Sequence, residues 1–253
     1  MPFGFVETIA ADHAGTDPLQ EELALLELAA QGRHVAQLWE APLSLVVPRT
    51  YLRHAALEGA RADFARQGCP VFLRMSGGGL VPQGPGILNL SLAYPVGQPP
   101  GALSDAVYLH LCAVIGGALR KLGIETHWQA VAGSFCDGRY NLAWGPPEAA
   151  RKIAGTAQYW RRAPAAMQAA DGQRHLVLAH AVLLVSADPG QINARANAFE
   201  AAIGSERRYD ADKVVSVREA LVAGGHAARD DAALMAAVAD ALRWSLGQHP
   251  APA

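Results

Sequence analysis

The stretch from His175 to Asp188, HLVLAHAVLLVSAD, constrains the fold more than any other. A strand with one wet face alternates apolar and polar residues with a period of two, and this segment does not alternate. Both of its faces must therefore be covered, which makes it a central strand of a sheet. Three further strand-like stretches lead up to it: IETHWQAVA (124–132), YNLAW (140–144) and RKIAGTAQYW (151–160).

The first half of the chain supplies the layers. After Asp17-Pro18, a cap followed by a first helical residue, Leu19, Leu23, Leu26 and Ala30 recur at helical spacing until Gly32 stops the run. HVAQLWEAP (34–42) and LSLVVP (43–48) read as two short strands turned at Pro42, and residues 51–67 return to helix. CPVFLRMS (69–76) and GILNLSLAYP (86–95) are strands on either side of Gly77-Gly78-Gly79. Val107, Leu111, Val114, Ile115, Ala118 and Leu122 form one face of a long helix ending at Gly123. Beyond the central strand come a helix, a short VVSV strand (214–217), an alanine-rich helix to about Trp244 and a frayed PAPA tail. The expected fold is α+β, a mostly antiparallel sheet with packed helices, with residues 1–253 in one domain and a helical segment over 220–246.

Charge and cysteine usage narrow the setting. A formal charge of −2 gives no basic surface for nucleic acid or an anionic membrane. The N-terminus lacks the basic start and apolar run of a signal peptide, and no apolar stretch is read as long enough to span a bilayer. Cys69, Cys112 and Cys136 are odd in number and widely spaced, which suits a reducing compartment, so a cytoplasmic protein is expected.

Two constellations carry chemistry. In Arg74-Met-Ser76-Gly77-Gly78-Gly79, glycines let backbone N–H groups approach an anion or carbonyl, and Arg74 adds a positive fork. The same glycines would serve equally as a turn between strands. The second is Cys136 with Lys152, sixteen residues on. A nearby cation favours a thiolate, and a lysine beside a reacting acyl group can stabilise an oxyanion or protonate a leaving group. Lysine is the rarer base, three against eighteen Arg, so its placement here is notable. In strand alternation Lys152, Ala154, Thr156 and Gln158 share one face and Gly155 opens the other. Residues alone leave Cys136 open as nucleophile or inert thiol, whereas Cys69 and Cys112 read as packing. Lys121 belongs to the last turn of its helix. His175 and His180 face opposite sides, with His180 on the Leu178 and Val182 face, where it meets either the site or the core. No metal-ligand spacing occurs, and G-x-x-x-x-G-K-[ST], G-x-S-x-G and H-E-x-x-H are all missing, which disfavours phosphate-loop, serine-hydrolase and zinc-protease chemistry.

Taken in order, RMSGGG, then Gly86-Ile-Leu88-Asn89-Leu-Ser91, then RKIAGTAQ resemble the biotin/lipoate protein ligase and lipoyl/octanoyl transferase family over roughly residues 36–190. The resemblance implies that fold, an acyl tunnel walled by Arg74, Ser76, Gly77, Gly78, Gly79, Asn89, Gly155, Ala157 and His180, and Lys152 at the activated carbonyl. Ser134-Phe-Cys136-Asp-Gly138-Arg-Tyr140-Asn141-Leu142 is similar to the motif of members that transfer octanoyl groups through a cysteine thioester. It implies Cys136 as nucleophile, with Gly138 and Tyr140 in the site. The ligase branch does not need that cysteine, and the accessory domain of many lipoate ligases is not expected after about residue 220, although the family also has separately encoded accessory chains. Two departures stand out: Leu80-Val81-Pro82-Gln83 replaces a His-Asp or similar acidic pair, and GPPEAA lengthens the Cys-to-Lys loop.

The expected activity is transfer of an octanoyl or lipoyl group through Cys136 onto a lysine of a lipoyl carrier domain, the glycine cleavage H protein or a 2-oxoacid dehydrogenase E2. That reading requires no metal or nucleotide. An ATP- and Mg-dependent lipoate ligase working through an acyl-adenylate and a non-catalytic lipoyl-binding module remain as alternatives.

Overall fold

The structure is a computed structural model that describes residues 1–6, 19–168, 174–227 and 229–252. The Asp17-Pro18 cap lies outside the described residues. The elements in chain order are β1 (Gly4–Phe5), α1 (Leu19–Ala29), β2 (Val35–Trp39), β3 (Ser44–Pro48), α2 (Leu57–Arg66), β4 (Val71–Arg74), β5 (Val81–Gln83), β6 (Ile87–Val96), α3 (Pro100–Lys121) and β7 (His127–Trp128). There follow β8 (Leu142–Trp144), β9 (Arg151–Arg162), β10 (His175–Leu184), α4 (Pro189–Ala202), α5 (Val217–Ala223) and α6 (Asp231–Gln248).

β10 sits in the middle of a seven-stranded sheet of order β1-β2-β6-β10-β9-β8-β7, antiparallel except for the β1–β2 pair. One face of this sheet packs on α3 and α6, where Leu90, Leu92, Val177 and Ala179 meet Val107, Leu111, Ile115 and Leu242. On the other face Leu25, Leu26 and Ala29 of α1 cover Val35, Ala93, Leu176 and Leu178. The fold is mixed α+β, and β10 is covered on both faces, as its apolar run requires. α3 is long and apolar enough by composition to cross a membrane, contrary to the sequence expectation, but more than half of that stretch is buried against sheet and helix. Its apolarity is that of a core helix.

Several local expectations change. β2 and β3 are not a hairpin: β2 pairs with β6, while β3 joins β4 and an unexpected β5 in a separate three-stranded sheet backed by Phe64 and Phe199. The helix expected over 51–67 is a 3₁₀ turn (Arg49–Arg53) followed by α2. The strand expected over 124–132 shrinks to β7, because the Val131 N–H is taken by Asp137 Oδ1 at 2.7 Å and the chain turns away. VVSV is a single bridge from Val214 to Lys152, since Ser216 caps α5 in a reciprocal box with Glu219. The PAPA tail is not loose throughout: Ala251 packs on the main core, and His110 Nε2 lies 3.0 Å from the His249 carbonyl.

Candidate active site

The small sheet lies over the large one and leaves a largely apolar cavity between them, with about 500 Å³ of empty space counting its mouth. Its floor is a row of residues across neighbouring strands of the large sheet: Gly155 on β9 opposite Val182 on β10, opposite Asn89 on β6, opposite Trp39 on β2. Val46, Val81 and Gln83 face this row from the small sheet, and Leu19 and Glu22 from α1. Cys136 and Lys152 stand at the β9 end.

Lys152 reaches the cavity through a β-bulge. Leu142 pairs with Ala154 but Ala143 with Lys152, so Ile153 is an extra residue and the alternation of β9 changes phase there. Ile153 turns into the main core, and Lys152 comes to the side of Gly155 instead of opposing it, which corrects the alternation read from sequence. A methyl group on Gly155 would stand 2.9 Å from Lys152 Nζ, so any side chain there would make the ammonium shift. Lys152 is 1% exposed and donates to the Phe135 carbonyl at 2.7 Å and the Cys136 carbonyl at 3.1 Å. Two of its three donors are thus fixed and one is free for a ligand. Burial lowers its pKa to about 8, with Arg74 acting in the same direction and the Cys136 thiolate and Asp137 opposing.

Cys136 has φ 45°, the one positive φ among the described non-glycine residues. Such a backbone costs on the order of 1–3 kcal/mol and persists only where its surroundings impose it. Here they do. The Lys152 ammonium holds the two carbonyls, and the Gly79 N–H points at Cys136 Sγ from 3.2 Å. Arg74 Nη2 lies 3.7 Å from the same sulfur, and its guanidinium is anchored on the carbonyls of Val46, Gly77 and Gly79. Gly78 has φ 104°, and a Cβ there would sit 2.6 Å from the sulfur. Burial pushes the Cys136 thiol up, but the charges of Lys152 and Arg74 and the Gly79 and Arg74 hydrogen bonds outweigh it and hold the thiol below its ordinary range. Cys69 and Cys112 differ: burial raises both, Cys112 to about 12.

A polar network at the other end of the cavity went unseen in the sequence. Glu22 Oε1 accepts from Ser91 Oγ at 2.7 Å and lies 2.7 Å from His180 Nδ1, while His180 Nε2 lies 3.0 Å from Ser76 Oγ. The Trp39 indole N–H donates to Ser91 Oγ at 2.9 Å. Burial alone would raise the Glu22 carboxyl, but the His180 charge, the bonds from His180 and Ser91, and Arg74 keep it low. Glu22 replaces Leu23 on the buried face of α1, the face otherwise made by Leu19, Leu25, Leu26 and Ala29. Gln83, the residue that departs from the family pattern, exchanges two amide hydrogen bonds with Asn89, at 2.9 and 3.0 Å.

Of the residues singled out in the sequence, Arg74, Asn89, Cys136, Lys152, Gly155, Ala157 and His180 line the cavity. Ser76 is buried behind His180, Gly77 lends a carbonyl to Arg74, and Gly78 and Gly79 pack on Cys136. Gly138 and Tyr140 do not reach the cavity: Gly138 faces open space, and Tyr140 stacks on Tyr108 with ring centroids 4.7 Å apart. Trp39 and Glu22 were missed, and Gln83 was noted only as a departure from the family pattern. The i, i+3, i+7 placement of Glu22 with Leu19 and Leu26 was the available signal.

Comparison with known proteins gives the family and the fold. The family model of the lipoyl protein ligase A/B catalytic domain matches residues 17–224. An uncharacterized protein of Cupriavidus necator is 84% identical over 253 residues, all of both chains. An octanoyl-[GcvH]:protein N-octanoyltransferase of Kyrpidia tusciae is 34% identical over 220 residues, 87% of this chain and 73% of the relative. Among solved structures, lipoate-protein ligase A bound with ATP superposes with a TM-score of 0.63 at 15% identity, covering 97% of this chain and 86% of that one, which is a likeness of fold. With the family model spanning most of its length, the chain belongs to the lipoyl protein ligase A/B catalytic domain family.

Proposed function

We propose that this protein is an acyltransferase that takes an octanoyl or lipoyl group onto Cys136 as a thioester and passes it to a lysine of a lipoyl carrier domain. One observation carries the reading: Cys136 lines both the inner apolar cavity and an open polar groove on its other side, formed with Gly78, Gly79, Ser134 and Asp137. An acyl chain on its sulfur would lie inward while the carrier, too large to enter, approaches from outside. The Kyrpidia tusciae relative, named for octanoyl transfer from GcvH, supports a carrier of that kind as partner, and a 2-oxoacid dehydrogenase E2 domain is the other candidate.

In the first step the Cys136 thiolate attacks the donor's acyl carbon, a C–S bond forms, and the bond to the donor breaks. The Lys152 ammonium stabilises the oxyanion with its free N–H and gives the departing group a proton. In the second step the acceptor amine attacks, a C–N bond forms, and the thiolate leaves. Neutral Lys152 then takes back the amine's surplus proton, a role suited to a pKa of about 8. A thioester keeps the acyl group activated between the two carriers, so this route consumes no nucleotide.

Intact-mass spectrometry of the protein incubated with an octanoylated carrier tests the reading. An octanoyl adduct on Cys136 that chases onto unmodified carrier is expected, and Cys136→Ala should show neither. An active Cys136→Ala variant with ATP-dependent pyrophosphate exchange would replace the thioester by an acyl-adenylate. A protein with neither activity would be a binding module.

A further inference from the structure

The row Gly155, Val182, Asn89, Trp39 crosses four adjacent strands at right angles to them. Lys152 Nζ stands beside Gly155, so an acyl carbonyl on Cys136 would lie over β9 with its tail running along the row toward β2. Among the described residues β1 pairs with β2 only at Val35 and Ala36, and Trp39 is the last residue of the row. Its indole is 7% exposed and lines this end of the cavity with Leu19 and Glu22.

Two things make this wall firm rather than an adaptable apolar side chain. The indole N–H is tied to Ser91, and Ser91 is tied to Glu22, which is itself held by His180. Asn89 Nδ2 also donates to the Trp39 carbonyl at 3.3 Å. The buried polar network thus has a use: Ser91, Glu22 and His180 are positioning residues for the indole.

We infer that Trp39 is the terminal wall of a molecular ruler that limits the acyl group to a chain of eight carbons. Three strand gaps at the usual spacing span about 14 Å. Contact with the indole removes about 4 Å of that. With C–C bonds of about 1.5 Å, an extended alkyl chain advances roughly 1.25 Å per carbon, so the remainder holds about eight. Longer chains would have to displace a side chain hydrogen-bonded in place.

The inference rests on the thioester reading above, and its test separates the two. Acyl thioesters of N-acetylcysteamine with six, eight, ten and twelve carbons are small donors that need no carrier, and the rate of adduct formation on Cys136 is read by intact mass. The wild-type rate is expected to peak at eight carbons and to drop about tenfold or more for twelve, the discrimination available from methylenes in an apolar pocket. Trp39→Ala should move the peak to ten or twelve carbons. Trp39→Phe, which keeps an aromatic ring, should move it less and serves if the alanine variant fails to fold. A flat wild-type profile, or folded variants that keep the wild-type peak, would overturn the ruler and leave the thioester intact. No adduct with any chain length would sink the thioester reading and the ruler with it.

Discussion

β10 and the segment around Cys136 are organised by opposite means. β10 is bonded by ladders along both edges, to β6 from His175 to Leu184 and to β9 from His175 to Leu183, and its conformation follows from backbone pairing alone. Between Gln129 and Asn141 the polypeptide bonds chiefly to side chains and across its own turn. The Val131 N–H goes to Asp137, the Gln129 N–H to the Asn141 carbonyl, and the carbonyls of Phe135 and Cys136 to Lys152. A ladder spreads its support over many residues, whereas this turn hangs on a few. Single substitutions should therefore leave the frame standing and disable the turn, and each prediction below probes that asymmetry.

The largest effect belongs to Lys152. Its ammonium fixes both turn carbonyls and, in the proposed reaction, the oxyanion, and losing one such donor costs on the order of 3 kcal/mol in the transition state. Lys152→Ala and Lys152→Arg should each transfer octanoyl about a hundredfold more slowly or worse in single-turnover assays. Arginine keeps the charge, but its planar fork does not reproduce the compact ammonium held on the Phe135 and Cys136 carbonyls. Both variants should retain the native circular-dichroism spectrum, and near wild-type transfer by either would erase the distinction between frame and turn.

Gly78→Ala comes next. The residue has φ 104°, and the new methyl would stand 2.6 Å from Cys136 Sγ, so the loop must shift from the sulfur it lines. Transfer should fall about tenfold or more, alongside a backbone cost on the order of 1–3 kcal/mol. If iodoacetamide labels Cys136 in the variant at the wild-type rate while the melting point drops, the glycine serves only the turn.

Titration gives a finer probe. Catalysis needs the Cys136 thiolate, present above a pKa held below the ordinary thiol range, and the Lys152 ammonium, present below about 8. The rate should climb with pH through the first ionisation and decline through the second, a bell belonging to the pair as a unit. In Lys152→Ala the declining limb should vanish. The rising limb should shift to higher pH, because Lys152 is the largest influence opposing burial at the thiol. A profile unchanged in that variant would remove Lys152 from the titration.

The same asymmetry decides what could be read from sequence. β10 announces its own burial through its composition, and α3 through its spacing. The motifs flanking the glycine loop and Lys152 marked a site, but not how its side chains converge. Lys152 enters the cavity because β8 and β9 slip by one residue between Leu142 and Ala143, a property of pairing that neither strand carries in its own pattern. Glu22 was passed over because a lone carboxylate on a helix normally faces water, and its partner His180 is 158 residues away. Gly138 and Tyr140 matched a motif, but they shape the turn from behind.

Ser216 tests the frame rather than the turn, and its effect should be the smallest. In the sequence, Val214, Val215 and Val217 outweighed Ser216-Val-Arg-Glu219, although that spacing is a capping box and the structure forms one. The Glu219 carboxylate accepts from the Ser216 backbone N–H and hydroxyl, both at 2.8 Å. Ser216→Ala should cost about 1 kcal/mol, as cap removal generally does. In a chain of this size that is a fall of roughly 2–4 °C in melting point. The Val215 N–H, one residue earlier, donates to the Lys152 carbonyl at 2.9 Å, so the cap stands next to the strand that presents the ammonium. If the frame absorbs local losses, iodoacetamide labelling of Cys136 in Ser216→Ala should match wild type at every pH. Should labelling slow as the cap is lost, Lys152 would depend on α5 for its position, and the support of the turn would extend into the frame.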